Sequence, residues 1–219
     1  MTENSTNDIT CKLLPESYTL YINGDIEEST LIDFRKQVNE KLEEIEKTVM
    51  EQNAALVAMG IDIEGAKIKL PAFDIYINTY GGSVYAGLGI CDIIEELAKG
   101  YVVNIICSGY IMSMGIPIIL SGTHRVAHKN TTFMIHEISS FCWDKLTKIK
   151  EDVKETERLN NILKSIIVEK SKITMKKIDD WYEKKLDVFM SAEEALKYGL
   201  IDEIIEYKNK KIKELSKGN

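Results

Sequence analysis

Residues 101–107, YVVNIIC, form a near-continuous apolar run directly after Gly100, and no other stretch constrains the fold as tightly. A strand with one wet face alternates apolar and polar residues, so a run this uniform belongs in a parallel sheet covered on both faces. The chain on its N-terminal side supports that reading. A strand is expected at 73–78, Gly81-Gly82-Ser83 turns the chain, and a helix of roughly 83–99 ends at Gly100 in the C′ position. Strand, helix and strand in that order imply parallel strands joined by right-handed crossovers, hence an α/β fold.

The remaining pattern extends this unit in both directions. Residues 17–23, SYTLYIN, alternate apolar and polar and stop at Gly24, as a strand does. Thr30 with Asp33 reads as a capping box, followed by Leu31, Phe34, Val38, Leu42, Ile45 and Val49 at helical spacing to about Leu56. Gly60 and Gly65 break the chain in a linker, 59–72. Beyond residue 107 the spacing predicts a helix from Ser113, a short strand near Arg125 and a strand at 132–135. A long helix follows at 144–170, with Leu146, Ile149, Val153, Leu159, Leu163 and Ile166 on one face, and a shorter one at 174–184. Ser191 with Glu194 forms a second capping box for a helix that Gly199 ends, and a strand is expected at 201–207. Residues 1–14 read as a loose polar lead-in and 208–219 as a lysine-rich tail, leaving 15–207 as a single domain without internal repeats.

Charge and cysteine usage exclude several functions. With 35 acidic and 28 basic residues the net charge is −7, which argues against a nucleic-acid-binding face. Cys11, Cys91, Cys107 and Cys142 show neither a C-x-x-C pair nor metal-ligand spacing, and Cys91 and Cys107 sit in apolar runs as small hydrophobes. The start of the chain is polar and acidic, unlike a signal or transit peptide. No run is long and apolar enough to cross a bilayer, so no membrane partner and a cytoplasmic setting are expected.

Chemistry concentrates at four places. Ser113 follows the apolar run through Ser108-Gly109 and is expected to open a helix, where its hydroxyl projects from a fixed corner beside free N–H groups. A plain N-cap serine would read the same way. The G-x-S-x-G elbow is absent, since Ile111 stands where its first glycine belongs, and the order of serine, histidine and acid differs from that of α/β-hydrolases. His136 ends the apolar strand 133–135, where a lone histidine is more often structural; in the catalytic reading its imidazole takes a proton from Ser113 and returns it to a leaving amine. His124 and His128 flank a short strand and read as surface or structural. Asp187 is either a turn residue before the Ser191 cap or the group that orients His136. Gly81 and Gly82 either let a backbone N–H and an extended peptide approach, or only supply a turn with positive φ. Neither phosphate-loop pattern is present.

Taken together, these segments resemble the proteolytic subunit of the Clp protease, the ClpP family, over about Tyr18 to Glu206. Tyr76-Ile77-Asn78-Thr79-Tyr80-Gly81-Gly82 is similar to its Y-I-N-S-P-G-G, and Ser113-Met114-Gly115 to the end of its A-S-M-G. Met134-Ile135-His136 resembles its M-I-H. Asp187-Val188-Phe189-Met190-Ser191-Ala192 with Glu194-Ala195 is similar to D-R-F-L-S-A-x-E-A, and Tyr198-Gly199-Leu200-Ile201-Asp202 to Y-G-L-V-D. The resemblance implies a crotonase-like α/β fold of stacked βαβ units, with 144–170 as a projecting handle helix. It implies a serine endopeptidase acting on unfolded or extended polypeptides, with Ser113 as nucleophile, His136 as base and Asp187 as orienter. Backbone N–H groups of Gly82 and Met114 would form the oxyanion hole, and Gly81 and Gly82 would meet the substrate. No metal or cofactor is implied. As partners it implies copies of the same chain, in rings of seven stacked in pairs around a chamber, and an ATP-driven unfoldase.

The chain departs from the family in places. Glu137-Ile138 follows His136 in place of Gln-Pro, and the glycine-rich handle strand is missing. Leu186 precedes Asp187 where arginine is common, and Asp74 replaces an aromatic of the unfoldase-docking pocket. The 31–72 region is longer than usual, and the N-terminal gate is not recognisable. Such departures would fit a phage or accessory member, and they leave ring number and stacking open. Two other readings share parts of the pattern: a crotonase-type acyl-CoA enzyme, and a non-catalytic ring subunit.

Overall fold

A computed structural model describes residues 13–61, 68–139 and 143–205. Most of the expected lead-in, part of the linker, Cys11, Cys142 and the tail 208–219 lie outside them. In chain order the elements are β1 (Ser17–Ile26), α1 (Glu28–Ala58), β2 (Ala72–Gly82), α2 (Val84–Leu97), β3 (Val103–Met112), α3 (Gly115–Leu120) and β4 (His124–His128). Then follow β5 (Thr132–Ile135), α4 (Leu146–Lys170), α5 (Met175–Glu183), β6 (Val188–Met190), α6 (Ala192–Tyr198) and β7 (Glu203–Ile205).

The strands pair in the order β1-β2-β3-β4-β7, and every pair on this path is parallel. Leu20 and Ile22 of β1, Phe73, Ile75 and Ile77 of β2, and Val103 and Ile105 of β3 are fully buried in one apolar core with Phe34, Ile90 and Ile94 of the helices. The opposite face differs from the expectation of a sheet covered on both sides. Tyr21 of β1 and Tyr76 of β2 are exposed there with their rings 5.8 Å apart, while Ile106 of β3 is buried. The apolar run therefore reports burial of β3 itself, at the middle of the path, rather than a second full layer of helices.

Helix ends follow sequence chemistry closely, with three shifts. Ser83 caps α2, its hydroxyl accepting from the Ala86 amide. Ser191 and Glu194 close both bonds of the box at α6, and Gly199 ends that helix at φ 71. At α1 the box forms three residues earlier than expected: Glu27 is the cap and Thr30 is its N3 partner, donating to the Asp25 carbonyl as well. Gly100 lies two residues past the Ala98 cap of α2 and not at a left-handed C′ position. The third shift, at Ser113, belongs to the site. Among the described residues no helix is long and apolar enough to cross a membrane.

Candidate active site

The site begins with an irregularity in β3. Its first half pairs with β4 through Asn104–Cys107, and its last residues, Tyr110 to Met112, pair with β5 instead. Against β2 the register jumps from Ile77↔Cys107 to Thr79↔Ile111, so extra residues are taken up around Gly109. Gly109 adopts φ 63, and a Cβ there would lie 2.9 Å from Asn78 Oδ1. That oxygen accepts from the Tyr110 amide at 3.1 Å, so the bulge is pinned by a side chain from the neighbouring strand. The effect is to carry the end of β3 past β4 and onto β5.

Strand register then brings three side chains together. Met112↔Met134 is the last parallel pair of β3 with β5, so Ser113 and His136 emerge at the same end of the sheet. β5 and β6 are antiparallel with Ile135↔Val188, and one step further along that ladder His136 faces Asp187. Ser113 Oγ lies 2.8 Å from His136 Nε2, and Asp187 Oδ1 lies 3.7 Å from Nδ1 on the other side of the ring. With the imidazole proton on Nδ1, the serine hydroxyl donates to Nε2 and the carboxylate faces the N–H that would hold that tautomer. Asp187 is 63% exposed in its side chain, far wetter than His136 at 23%.

Ser113 is not a helix N-cap. It adopts φ 53, one of two non-glycine residues with positive φ among those described, and α3 starts two residues later. A left-handed serine costs on the order of 1–2 kcal/mol and persists where its surroundings hold it. Here its amide donates to the Met134 carbonyl at 2.9 Å and its carbonyl accepts from Ile116 at 3.0 Å. Met114 is 1% exposed, its side chain laid against Gly87 of α2, where a Cβ would come within 2.2 Å of Met114 Cγ. The backbone thus makes a sharp, clamped elbow whose hydroxyl points outward.

Gly81 and Gly82 form the other wall. Their φ values are 96 and 145, a region closed to most side chains. A Cβ on Gly81 would meet Ser113 Cβ at 2.6 Å and the Met114 amide at 2.9 Å, and one on Gly82 would meet the Ile26 carbonyl oxygen at 2.3 Å. Backbone conformation and lack of space both demand glycine at these positions. Thr79, fully buried, accepts from the Gly81 amide at 3.0 Å and fixes that turn.

These residues open onto a cleft of about 350 Å³. Ser113, Met114, His136 and Gly82 lie at its polar end, and Val84, Ile116, Pro117, Ile138, Leu163 and Ile167 make its apolar wall. The segment after His136 is held to α4, because the Asn160 side chain, 7% exposed, accepts from the Ile138 amide at 3.1 Å. Tyr182 borders the cleft as a neutral phenol, pushed up to about 12 by burial and then by Glu137. Cys91 and Cys107 are buried elsewhere; desolvation lifts the first thiol to about 12 and the second higher, so neither offers a thiolate near neutral pH. Among the described residues no group of His, Cys, Asp or Glu is arranged to hold a metal ion.

Every side chain singled out in the sequence for this chemistry borders the same cleft or touches a residue that does. Thr79 and Tyr80 enter the sequence reading only inside the segment Tyr76 to Gly82, and Asn160 not at all. An aromatic in a strand and a polar residue on a helix carry no chemical signature until the fold brings them beside a nucleophile.

The model of the family described as Clp protease matches residues 27–208 of this chain. An ATP-dependent Clp protease proteolytic subunit of Bacteroides thetaiotaomicron is 35% identical over 133 residues, 60% of this chain and 59% of that protein. The corresponding subunit of Deinococcus radiodurans is 37% identical over 134 residues, 60% of this chain and 64% of that one. The match thus spans about three fifths of these relatives' length. ATP-dependent Clp protease proteolytic subunit 3 of a Synechococcus species is 35% identical over 156 residues, 70% of this chain and 76% of that protein. Among solved structures, a point mutant of ClpP1 from Listeria monocytogenes superposes with a TM-score of 0.63 at 26% identity, covering 87% of this chain and 92% of that one.

Proposed function

The chain belongs to the Clp protease family and has its α/β fold, and from that premise we propose that it is a serine endopeptidase cleaving unfolded or extended polypeptides. The observation that carries the proposal is the 2.8 Å contact between Ser113 Oγ and His136 Nε2 at an elbow with positive φ. In the proposed reaction Ser113 Oγ attacks a peptide carbonyl as His136 Nε2 takes its proton. Asp187 holds the ring and stabilises the imidazolium. The N–H groups of Gly82 and Met114 receive the oxyanion, His136 then protonates the leaving amine, and water repeats the sequence on the acyl-enzyme. The apolar wall favours an apolar side chain on the residue whose carbonyl is attacked, a preference that the sequence alone does not disclose. None of these steps calls for a metal or a cofactor.

The proposal extends to the setting. The relatives are described as ATP-dependent proteolytic subunits, which supports a cytoplasmic homo-oligomeric ring served by an ATP-driven unfoldase, with residues 15–207 as its peptidase domain. One feature of the chain favours self-association. The first half of α4 stands clear of the core, while its buried residues, Leu159, Asn160, Leu163 and Ile167, all belong to the second half. Trp143, Leu146 and Val153 are 90%, 68% and 51% exposed around that projecting half, an apolar surface of the kind covered by another copy. Val153→Glu is expected to lower the oligomeric mass in native mass spectrometry while leaving the melting temperature of the subunit within a few degrees. An unchanged assembly would remove α4 from the contact.

Intact-mass spectrometry after a fluorophosphonate probe tests the chemistry. A single adduct on the wild type, absent from Ser113→Ala, is the expected result; no adduct on a folded oligomer would sink the hydrolase reading and favour a non-catalytic subunit. The exposed, 3.7 Å placement of Asp187 sets a second expectation. A buried orienter replaced by its amide costs about 10⁴ in turnover, so Asp187→Asn is expected to cost less, roughly 10- to 10³-fold, measured as kcat on a fluorogenic peptide.

A further inference from the structure

Tyr80 has a position that the triad chemistry does not use. It precedes Gly81 and Gly82 in β2, is 56% exposed, and borders the cleft that holds Ser113 and His136. It also borders a second hollow, of about 560 Å³, beside Asp25, Glu27 and Glu28. Tyr80 and Gly82 line both hollows, so an extended peptide running from one to the other would pass the Tyr80 ring. Among the described residues that ring has one stacking partner. Tyr110 stacks on it with centroids 3.7 Å apart and planes 20° from parallel. Tyr110 is itself fixed, through its amide, by Asn78 in the bulge that brings β3 to β5. Desolvation and then the Tyr80 phenol beside it hold the Tyr110 hydroxyl above its ordinary pKa. Tyr110 borders neither hollow, which leaves the opposite face of Tyr80 as the face a peptide would meet.

Resting on the peptidase reading above, we infer that Tyr80, backed by Tyr110, is a specificity-determining residue whose free face stacks against an aromatic side chain of the substrate, next to the residue held in the apolar pocket. An exposed ring cannot enclose a branched aliphatic group, but a flat ring lies against it with one face buried. The backing ring removes the rotamer freedom that a lone exposed tyrosine would lose on binding. An aromatic pair of this kind favours the matched peptide by about two- to twelvefold over alanine.

The test uses the full-length oligomer and peptides with Leu fixed at the pocket position. Phe, Ala and Arg are placed in turn at each of the two positions on either side. The wild type is expected to show, at one position, a Phe-over-Ala ratio in kcat/KM of about two- to twelvefold. Tyr80→Ala should bring that ratio to near one, Tyr80→Phe should keep it, and Tyr110→Ala should reduce it. The same peptides are titrated by fluorescence anisotropy against Ser113→Ala protein, which reads the preference as affinity without turnover. Absence of a Phe preference in the wild type, its persistence in Tyr80→Ala, or a preference for Arg at that position would overturn the inference. A Phe preference in binding that depends on Tyr80, without fluorophosphonate labelling or turnover, would instead overturn hydrolysis and leave the stacking assignment standing.

Discussion

Ser113→Ala, His136→Ala and the double replacement are each expected to lose the same factor in kcat, on the order of 10⁶, on a fluorogenic peptide with Leu at the cleaved position. The equality is the sharper part of the prediction. Ser113 Oγ and His136 Nε2 are 2.8 Å apart and share one proton, so removing either leaves the other without a task, and the losses do not add. Residual turnover above water would come from the backbone N–H groups of Gly82 and Met114 and from the apolar pocket, which none of these variants touches. The fold should survive, because Ser113 is held through its main chain, by Met134 and Ile116, and not through its hydroxyl. A double variant far slower than either single one would show two independent roles and would sink the shared mechanism.

Gly81→Ala is expected to lower kcat by at least about 10²-fold with little change in assembly. The added methyl would lie 2.6 Å from Ser113 Cβ and 2.9 Å from both the Met112 carbonyl oxygen and the Met114 amide, contacts that neither backbone can yield without moving. A displacement of about 1 Å at the nucleophile is enough for a loss of that size. The φ of 96 adds strain on the order of 1–3 kcal/mol, which should show separately as a lower melting temperature. Gly100→Ala is the matched control: no atom lies within 4 Å of its would-be Cβ and its φ is not positive, so rate and labelling should match the wild type. A wild-type rate in Gly81→Ala would mean that the elbow and the glycine turn are not mechanically coupled.

Much of the site is legible in the sequence because its parts sit where elements end. His136 and Asp187 flank strands whose apolar character is plain, and Ser191 with Glu194 marks the following helix without ambiguity. The backbone state of Ser113 is not legible. Ile-Met-Ser-Met-Gly-Ile is equally compatible with a capped helix start, and only the β3 bulge and the Met134 carbonyl select the left-handed turn. The capping box of α1 illustrates the same limit on a smaller scale. Thr30 is a good N-cap by type, yet the register that satisfies the Asp25 carbonyl makes it the third residue of the helix and leaves Glu27 as the cap. The stack of Tyr80 on Tyr110 joins residues 30 apart through that same bulge, and no local pattern announces it.

The order of the strands along the chain has a consequence for synthesis. β3 and β5 are complete by residue 135, but β6, which brings Asp187 opposite His136, follows α4 and α5 and is not made until residue 190. Chains fold from the N-terminus as they emerge, so a nascent subunit can pair Ser113 with His136 while more than 50 residues of it remain untranslated, and at that stage nothing fixes the imidazole tautomer. On the proposed mechanism the nucleophile reaches its full rate only with the last quarter of the polypeptide, after the helices that carry the apolar pocket wall. On that mechanism a chain still on the ribosome would work no faster than Asp187→Asn, roughly 10- to 10³-fold below the finished subunit.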